Sequence, residues 1–597
     1  MPKMLRKRRE FFWARAPISF RLTAAATLLL VMVGLASPAR AALERVSDFA
    51  LLDTRGEFHQ LSRYKHRKAL ALLTYDSRCS RPAQLAEFAR LQSQFDPAGI
   101  SFAVLDTAGL ARDALREMAV PLSLPLLTDA PQLIAALLGA RSADEIILLN
   151  PERLNVFFRG ADMTALEMML DQLGANGEAL PSDTVSTSAG SCALDIAPAA
   201  TPPDYTSDVA PLILDNCVEC HRRGGVGPFA MDSYIMLLGW SPMIREVVLN
   251  KRMPPAQVDP EHGHSRMARY LDEKELKTLV SWIDARAPRG AGAEDPLEVF
   301  AAEQEASDEF AWQLGEPDFV VTGPSNAIPS TGVMDYLYEE VTLPFEEGRW
   351  LRAIETRPGD ESVLHHLMVF VTAPGEDFWG AEREQEVVSR RFVEGYAPGP
   401  HRAIEFDPNT GVFIPAGHKL SLQFHYVTNG QSTVDETMLG LYFFDADVDT
   451  RQLVERQALA VSTRFTLPAG VADFPLQAEA EVTNDIVVTG VRARMSYRGK
   501  KMRFVAVSPM GETRVLFSVP AYNYGWQPHY LLDEPVAVAA GSKLRVEGAL
   551  DNSVSNPTNP NPDREIPWGL ESWEEMFTGY FTYYPASPSL DPDAASE

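Results

Sequence analysis

A chain of 597 residues with 46% hydrophobic and 23% charged side chains has the composition of ordinary globular protein. It is too long for one core and is sized for three or four domains. Its formal net charge of −27 repels polyanions, which excludes nucleic acid and anionic lipid surfaces as partners.

Residues 1–41 read as an export signal: Lys3 to Arg21 is basic, Leu22 to Leu35 is apolar, and Ala39-Arg40-Ala41 offers a cleavage site. The apolar run is short for a bilayer span, so a periplasmic or secreted protein with no stable membrane span is expected. Arg8-Arg9-Glu10-Phe11-Phe12 resembles a twin-arginine signal; a merely basic leader is the other reading.

From Phe49 to about Leu173, buried-strand runs (Ala69 to Leu73, Ile100 to Leu105, Ile146 to Leu149) alternate with helix-period stretches at Ala83 to Phe95 and Leu110 to Met118. This predicts an α/β unit over 42–176, followed by a Ser-, Pro- and Asp-rich linker over 177–204. Phe49 to Gly56, the Ala69 strand and Cys79 together resemble the thioredoxin-like redoxins. Their chemistry needs two thiols and a proline facing them. Cys79-Ser80-Arg81-Pro82 has one thiol, Asp144 stands where the proline is expected, and Asp76 replaces the threonine of peroxiredoxins. An inert scaffold is therefore favoured over a reductase, with a disulfide between Cys79 and Cys192 expected in an oxidising compartment.

A small helical unit is predicted over 205–289, its clearest amphipathic helix running from Asp272 to Ala285 with Leu276, Leu279, Val280 and Ile283 on one face. It contains Cys217-Val218-Glu219-Cys220-His221. With 4 cysteines and 11 histidines in 597 residues, Cys-x-x-Cys-His arises by accident about 0.0005 times, so the motif is read as a c-type haem attachment site. Cys217 and Cys220 would each bond a vinyl group, and His221 would reach the iron. The alternative, a zinc site, needs two further ligands, for which His262 and His264 are available. Arg252-Met253-Pro254-Pro255 resembles the axial-methionine loop of small cytochromes c, making Met253 the expected sixth ligand, with Met243, Met267, His262 and His264 as competitors.

Past an acidic linker, 290–312, short alternating strands broken by Gly, Pro, Asn and Asp predict two all-β jelly-roll-like sandwiches, 313–450 and 451–586, before a disordered tail over 587–597. The stretch from Asp318 to Pro585 resembles the copper type II, ascorbate-dependent monooxygenases, the family of peptidylglycine alpha-hydroxylating and dopamine beta-monooxygenases. The resemblance rests on Val363-Leu364-His365-His366-Leu367-Met368-Val369-Phe370, Leu422-Gln423-Phe424-His425-Tyr426, and Trp573-Glu574-Glu575-Met576-Phe577 followed by Tyr583-Tyr584-Pro585. It implies a copper held by His365, His366 and His425, a donor set that suits copper. Adjacent histidines on a regular strand point to opposite faces, so this reading requires a bulge or a strand end at His365-His366.

The family's second, oxygen-activating copper takes a His-x-His pair and a methionine. Here Arg494 and Ser496 stand in the histidine positions while Met576 keeps the thioether. A guanidinium repels a cation and a hydroxyl is a poor copper ligand, so one copper, at most two, is expected, with His401, His418 and His529 left to complete a second site. The sequence thus supports an exported haem- and copper-binding oxidoreductase whose hydroxylase activity is doubtful, passing electrons to or from a partner protein or small reductant. As an oxidoreductase it would take a peptide or small organic substrate; the alternative is a non-catalytic haem- and copper-binding module whose β-domains bind a peptide or a partner protein.

Overall fold

The computed structural model describes residues 44–586 other than 118–122, 176–183, 189, 191, 195, 197–200, 256–257, 266–267, 269, 293, 307–310, 379–391, 398–401, 446–447 and 570–572. The expected leader over 1–41, Met267, His401 and the expected tail over 587–597 lie outside the described residues. Among the described residues no helix is long and apolar enough to cross a membrane.

In the N-terminal unit, Ala69–Tyr75 pairs in parallel with Ile100–Asp106 and antiparallel with Ile146–Asn150, which pairs with Asn155–Gly160. These strands are apolar on both faces, and the period of two sends alternate residues to different cores. Ala69, Ala71 and Leu73 meet Phe88 and Leu91 of helix Pro82–Phe95 and Leu166 and Leu170 of helix Met163–Ala175. Leu70 and Leu72 share a core with Tyr205, Val209, Ile213, Val248 and Trp282 of the helical unit. The helical unit is thus the second helix layer of the sheet.

Both expected linkers carry regular structure. Val185–Ser186 adds to the sheet beside Asn155–Gly160, and Cys192–Ala193 pairs with Ser142–Ala143. Cys79 and Cys192 are disulfide-bonded across a sequence separation of 113. The second linker contains helix Pro296–Ala306. It is anchored by Asp295, whose carboxylate accepts from the Tyr205 hydroxyl at 2.5 Å and the Tyr234 N–H at 2.7 Å. Composition marked these stretches as loop because their pairing partners are remote in sequence.

Helix Glu273–Asp284 begins on an Asp272–Glu275 capping box. Its most buried side chain is Trp282, fully enclosed, with Nε1 donating to the Pro288 carbonyl at 2.9 Å. The loop before it leaves the helical unit: the Asp259 N–H donates to Ser518, and the Ser518 N–H to His262, on the second β-sandwich.

Two sandwiches follow. The first pairs a six-stranded sheet with the four-stranded sheet containing Leu364–Thr372 and Lys419–Tyr426; the second packs two four-stranded sheets. Leu367, Val369 and Val371 fill the first core, while Met368 and Phe370 point out to meet Ala458 and Tyr580 of the second sandwich. Ser421, Gln423 and His425, expected on the polar face of their strand, are 0%, 3% and 2% exposed because that face is covered by the second sandwich.

Breaking the Cys79–Cys192 bond tests the stitched linker. Cys192→Ser removes a cross-link over 113 residues, which a loop-entropy treatment values at about 4–5 kcal/mol. The expected result is a lower Tm for the N-terminal transition by calorimetry, with new proteolytic cleavage between residues 176 and 204.

Candidate metal centre

The strand Leu364–Thr372 runs antiparallel to Lys419–Tyr426, and its register steps from Leu364 opposite Tyr426 to His366 opposite His425. His365 is the extra residue of that bulge. A bulge breaks the two-residue alternation, which lets His365 and His366 turn to the same side and meet His425. His365 Nδ1 lies 3.0 Å from His366 Nδ1 and 3.1 Å from His425 Nδ1, and ligand atoms of all three lie within 4.8 Å of one another. Two nitrogens each about 2.0 Å from one tetrahedral ion stand ~3.3 Å apart, so the donor set fits a single metal ion.

Tyr524, on a turn of the second sandwich, closes the site. Its ring stacks on His365 at 5.2 Å between centroids, its carbonyl accepts from His365 Nε2 at 3.0 Å, and its hydroxyl is 3.5 Å from His425 Nε2. A carbonyl only accepts, so Nε2 of His365 carries the proton and Nδ1 presents its lone pair. Tyr336 covers the other side, 4.8 Å from His425 and 5.6 Å from His366. His366 Nε2 is buried without a hydrogen bond.

Burial holds all three imidazoles neutral. It pushes His365 down to about 4, opposed by the Tyr524 carbonyl and reinforced by the Arg494 charge. Burial, His365 and Arg494 take His425 down to about 3; His366 is also well below the ordinary range, first through burial and then through His425 and Arg494. Neutral imidazole is the form a metal requires.

The expected remnant of a second site is filled by protein. Arg494 is 8% exposed, its Nη2 donating to Gln423 at 3.0 Å and its guanidinium lying 5.8 Å from the Tyr336 ring. Ser496 and Met576 are both 2% exposed, and their N–H groups donate to the same carboxylate oxygen of Glu575 at 2.5 and 3.0 Å. Glu575, part of the Trp573–Phe577 motif but given no role from sequence, organises this corner. Its burial raises it to about 7 against those N–H donors and the nearby Arg498.

His529 is engaged elsewhere. Its Nδ1 is 3.0 Å from Glu394 and its Nε2 is 2.8 Å from the Thr582 hydroxyl. Arg456 joins the same carboxylate at 2.5 Å. Burial would raise Glu394, but the His529, Arg456 and Arg492 charges hold it far below the usual carboxylate range. His418 bonds the Ala416 carbonyl at the surface.

In the helical unit, Cys217 and Cys220 are not disulfide-bonded to each other, and burial followed by the Cys220 charge pushes Cys217 up to about 12. His221 is 8% exposed; its Nδ1 is 2.9 Å from the Phe229 carbonyl. Phe229 in turn stacks on Trp240 at 4.3 Å. That bond places the proton on Nδ1 and leaves Nε2 for a metal, the orientation an iron ligand needs. Gly227 permits it: a Cβ there would stand 2.7 Å from His221 Nδ1. Among the described residues the one group of three metal-capable side chains is His365, His366 and His425, so no zinc cluster gathers around Cys217 and Cys220. Met253 is 36% and Met243 45% exposed.

No family and no curated protein matches the sequence. Among solved structures, a hypothetical protein from Sinorhizobium meliloti 1021 is similar at 19% identity over 26% of this chain and 93% of its own, with a TM-score of 0.23. The exposed lipoprotein thioredoxin of Streptococcus pneumoniae strain TIGR4 shares 20% identity over 21% of this chain and all of its own (100%), with a TM-score of 0.19. A putative thiol:disulfide interchange protein from Chlorobium tepidum shares 20% over 22% and 95%, also with a TM-score of 0.19. Such thioredoxin-like neighbours belong to the N-terminal part. There, the Asp144 carboxylate holds Arg81, the residue before helix Pro82–Phe95, accepting from its N–H at 3.2 Å and from its Nε at 3.1 Å.

The lowered imidazoles set a pH dependence. Unfolded histidines titrate near 6.5 and bind protons before the folded ones do. Stability from this cluster is therefore whole above pH 6.5, declines as pH falls below it, and is fully lost by about pH 4 for His365 and about pH 3 for His425. The loss is about 1.4 kcal/mol per pH unit for each imidazole. Denaturant titration of the metal-free protein at pH 7 and pH 5 should show it, and His425→Gln should reduce the difference by the share of one imidazole.

Proposed function

We propose that this chain is an exported redox protein that carries a c-type haem on Cys217, Cys220 and His221 and one copper on His365, His366 and His425, and that it moves single electrons rather than hydroxylating a substrate. The observation that carries the reading is the convergence of three neutral, buried Nδ1 atoms at a strand bulge sealed by Tyr524. Bound haem would supply one one-electron couple and bound copper a second.

The protein's own groups favour transfer over oxygen chemistry. Rigid imidazoles, locked by strand pairing and by Tyr336 and Tyr524, limit the rearrangement that accompanies a change of charge. Arg494 and Ser496 occupy the positions where an oxygen-activating metal would be held, and Arg494 adds positive charge there. His221, fixed through Nδ1, would ligate the haem iron on one side, and Met253 is the proposed ligand on the other. An oxidising, extracytoplasmic location agrees with the Cys79–Cys192 disulfide and with the leader-like first 41 residues of the sequence.

Metal analysis of the chain made in a host competent for cytochrome maturation is the test. One iron and one copper per chain are expected, with a haemochrome spectrum of c type that is lost in Cys220→Ala. His425→Ala should remove copper almost entirely, whereas Met576→Ala should retain it. Two coppers in the unmodified chain, or hydroxylation of glycine-extended peptides or phenethylamines coupled to ascorbate, would falsify the electron-carrier reading. Met253 is tested separately: the sulfur-to-iron charge-transfer band of the oxidised protein should vanish in Met253→Ala and persist in Met243→Ala.

A further inference from the structure

The haem-attachment segment and the histidine strands meet at one seam. Arg222, next to His221, donates through Nη2 to Glu361 Oε2 at 2.7 Å, and Arg402 Nη2 lies 2.7 Å from Glu361 Oε1. One carboxylate therefore bridges two guanidiniums. The three side chains are 20%, 17% and 21% exposed for Arg222, Glu361 and Arg402, too enclosed for water to screen the bridge as it screens a surface pair. Glu361 stands on the turn leading into the strand of His365 and His366, where the Val363 N–H donates to the Asp360 carbonyl.

The second component is aromatic. Cys220 and Tyr396 line a common cavity of about 290 Å³ together with Arg222, Glu361 and Arg402. Tyr396 is 5% exposed and sits opposite Leu367, the residue after His366, in the pairing of Phe392–Tyr396 with Leu364–Thr372. Tyr396 thus faces the same cavity as Cys220 and pairs through its backbone with the strand that carries His365 and His366.

We propose that this seam is the electron-transfer contact between the two redox sites. Glu361 is the positioning residue that clamps the Cys217–His221 segment onto the histidine strand, and Tyr396 is the side chain that bridges Cys220 to Leu367 and His366. The proposal rests on the reading of both sites given above. One electron crosses per event. The side held by Cys217, Cys220 and His221 changes by one unit of charge, the side held by His365, His366 and His425 changes by one in the opposite sense, and no atom or proton moves. Electron coupling weakens steeply across gaps, so the clamp and the ring matter more to rate than to affinity. Loss of Glu361 leaves two enclosed guanidiniums facing each other without a counter-charge, which drives the seam apart.

The experiment is pulse reduction of the full-length holoprotein by a photogenerated small reductant, following haem absorbance and the copper(II) EPR signal as the electron redistributes. Glu361→Gln and Tyr396→Leu should each slow redistribution by roughly an order of magnitude, as expected for misplaced reacting partners. Iron and copper per chain should stay unchanged in both variants and both reduction potentials in Tyr396→Leu, and Glu361→Asp should restore most of the rate. In the metal-free chain, Glu361→Gln should also raise hydrogen–deuterium exchange over residues 217–222. Both centres present, with equal rates in the unmodified chain and both variants, overturns this inference alone. Absence of either centre from the unmodified chain overturns the inference together with the reading it rests on.

Discussion

Burial of the outward face of the first sandwich against the second governs this protein's chemistry. A strand such as Lys419–Tyr426, with Leu, Phe and Tyr on one side and Ser, Gln and His on the other, ordinarily keeps its polar side wet. Here Ser421, Gln423 and His425 are enclosed, and enclosure turns each polar atom into a group that needs a partner. Gln423 takes Arg494, and the histidines take one another and Tyr524. The same enclosure keeps the imidazoles unprotonated, so one packing event creates both the geometry and the protonation state of the proposed copper site.

The interface is held by charge as well as by apolar contact. Glu394, on a strand of the first sandwich, meets His529 and Arg456, with Arg492 3.7 Å away. Arg492 also reaches the Met368 sulfur and the Gly395 carbonyl. A lone buried guanidinium would be costly, and a shared carboxylate plus carbonyl acceptors offsets that cost. These groups fix how the sandwiches meet, and so where Tyr524 falls relative to His365. Arg494 belongs to the same set: its position suggests a metal ligand in sequence, yet in space it is a structural cation.

At the other end of the chain the logic is layering. A mostly apolar sheet needs cover on both faces. The N-terminal unit supplies helices for one face, and the Cys-x-x-Cys-His unit covers the other. Through Glu361 that unit also touches the first sandwich, and through the 258–265 loop it pairs with the second. The Cys217–His221 segment therefore sits at a junction of packed elements.

Residue type and short-range pattern carried a definite part of this. The strands Ala69–Tyr75, Ile100–Asp106 and Ile146–Asn150, the helices Pro82–Phe95 and Glu273–Asp284, and the change to short strands after Asp318 were all legible, because hydrophobic period is a local property. The Cys217–His221 motif is likewise a local pattern of five consecutive residues. What tertiary structure alone decided depends on partners far away in sequence. The register step that turns His365 and His366 to one side exists only in the pairing with Lys419–Tyr426. Sheet pairing and helix in the two expected linkers came from remote partners, and so did the Glu575 carboxylate that gathers Ser496 and Met576. Local sequence records which groups can bond; only the folded chain, by excluding water from between remote strands, determines which of them must.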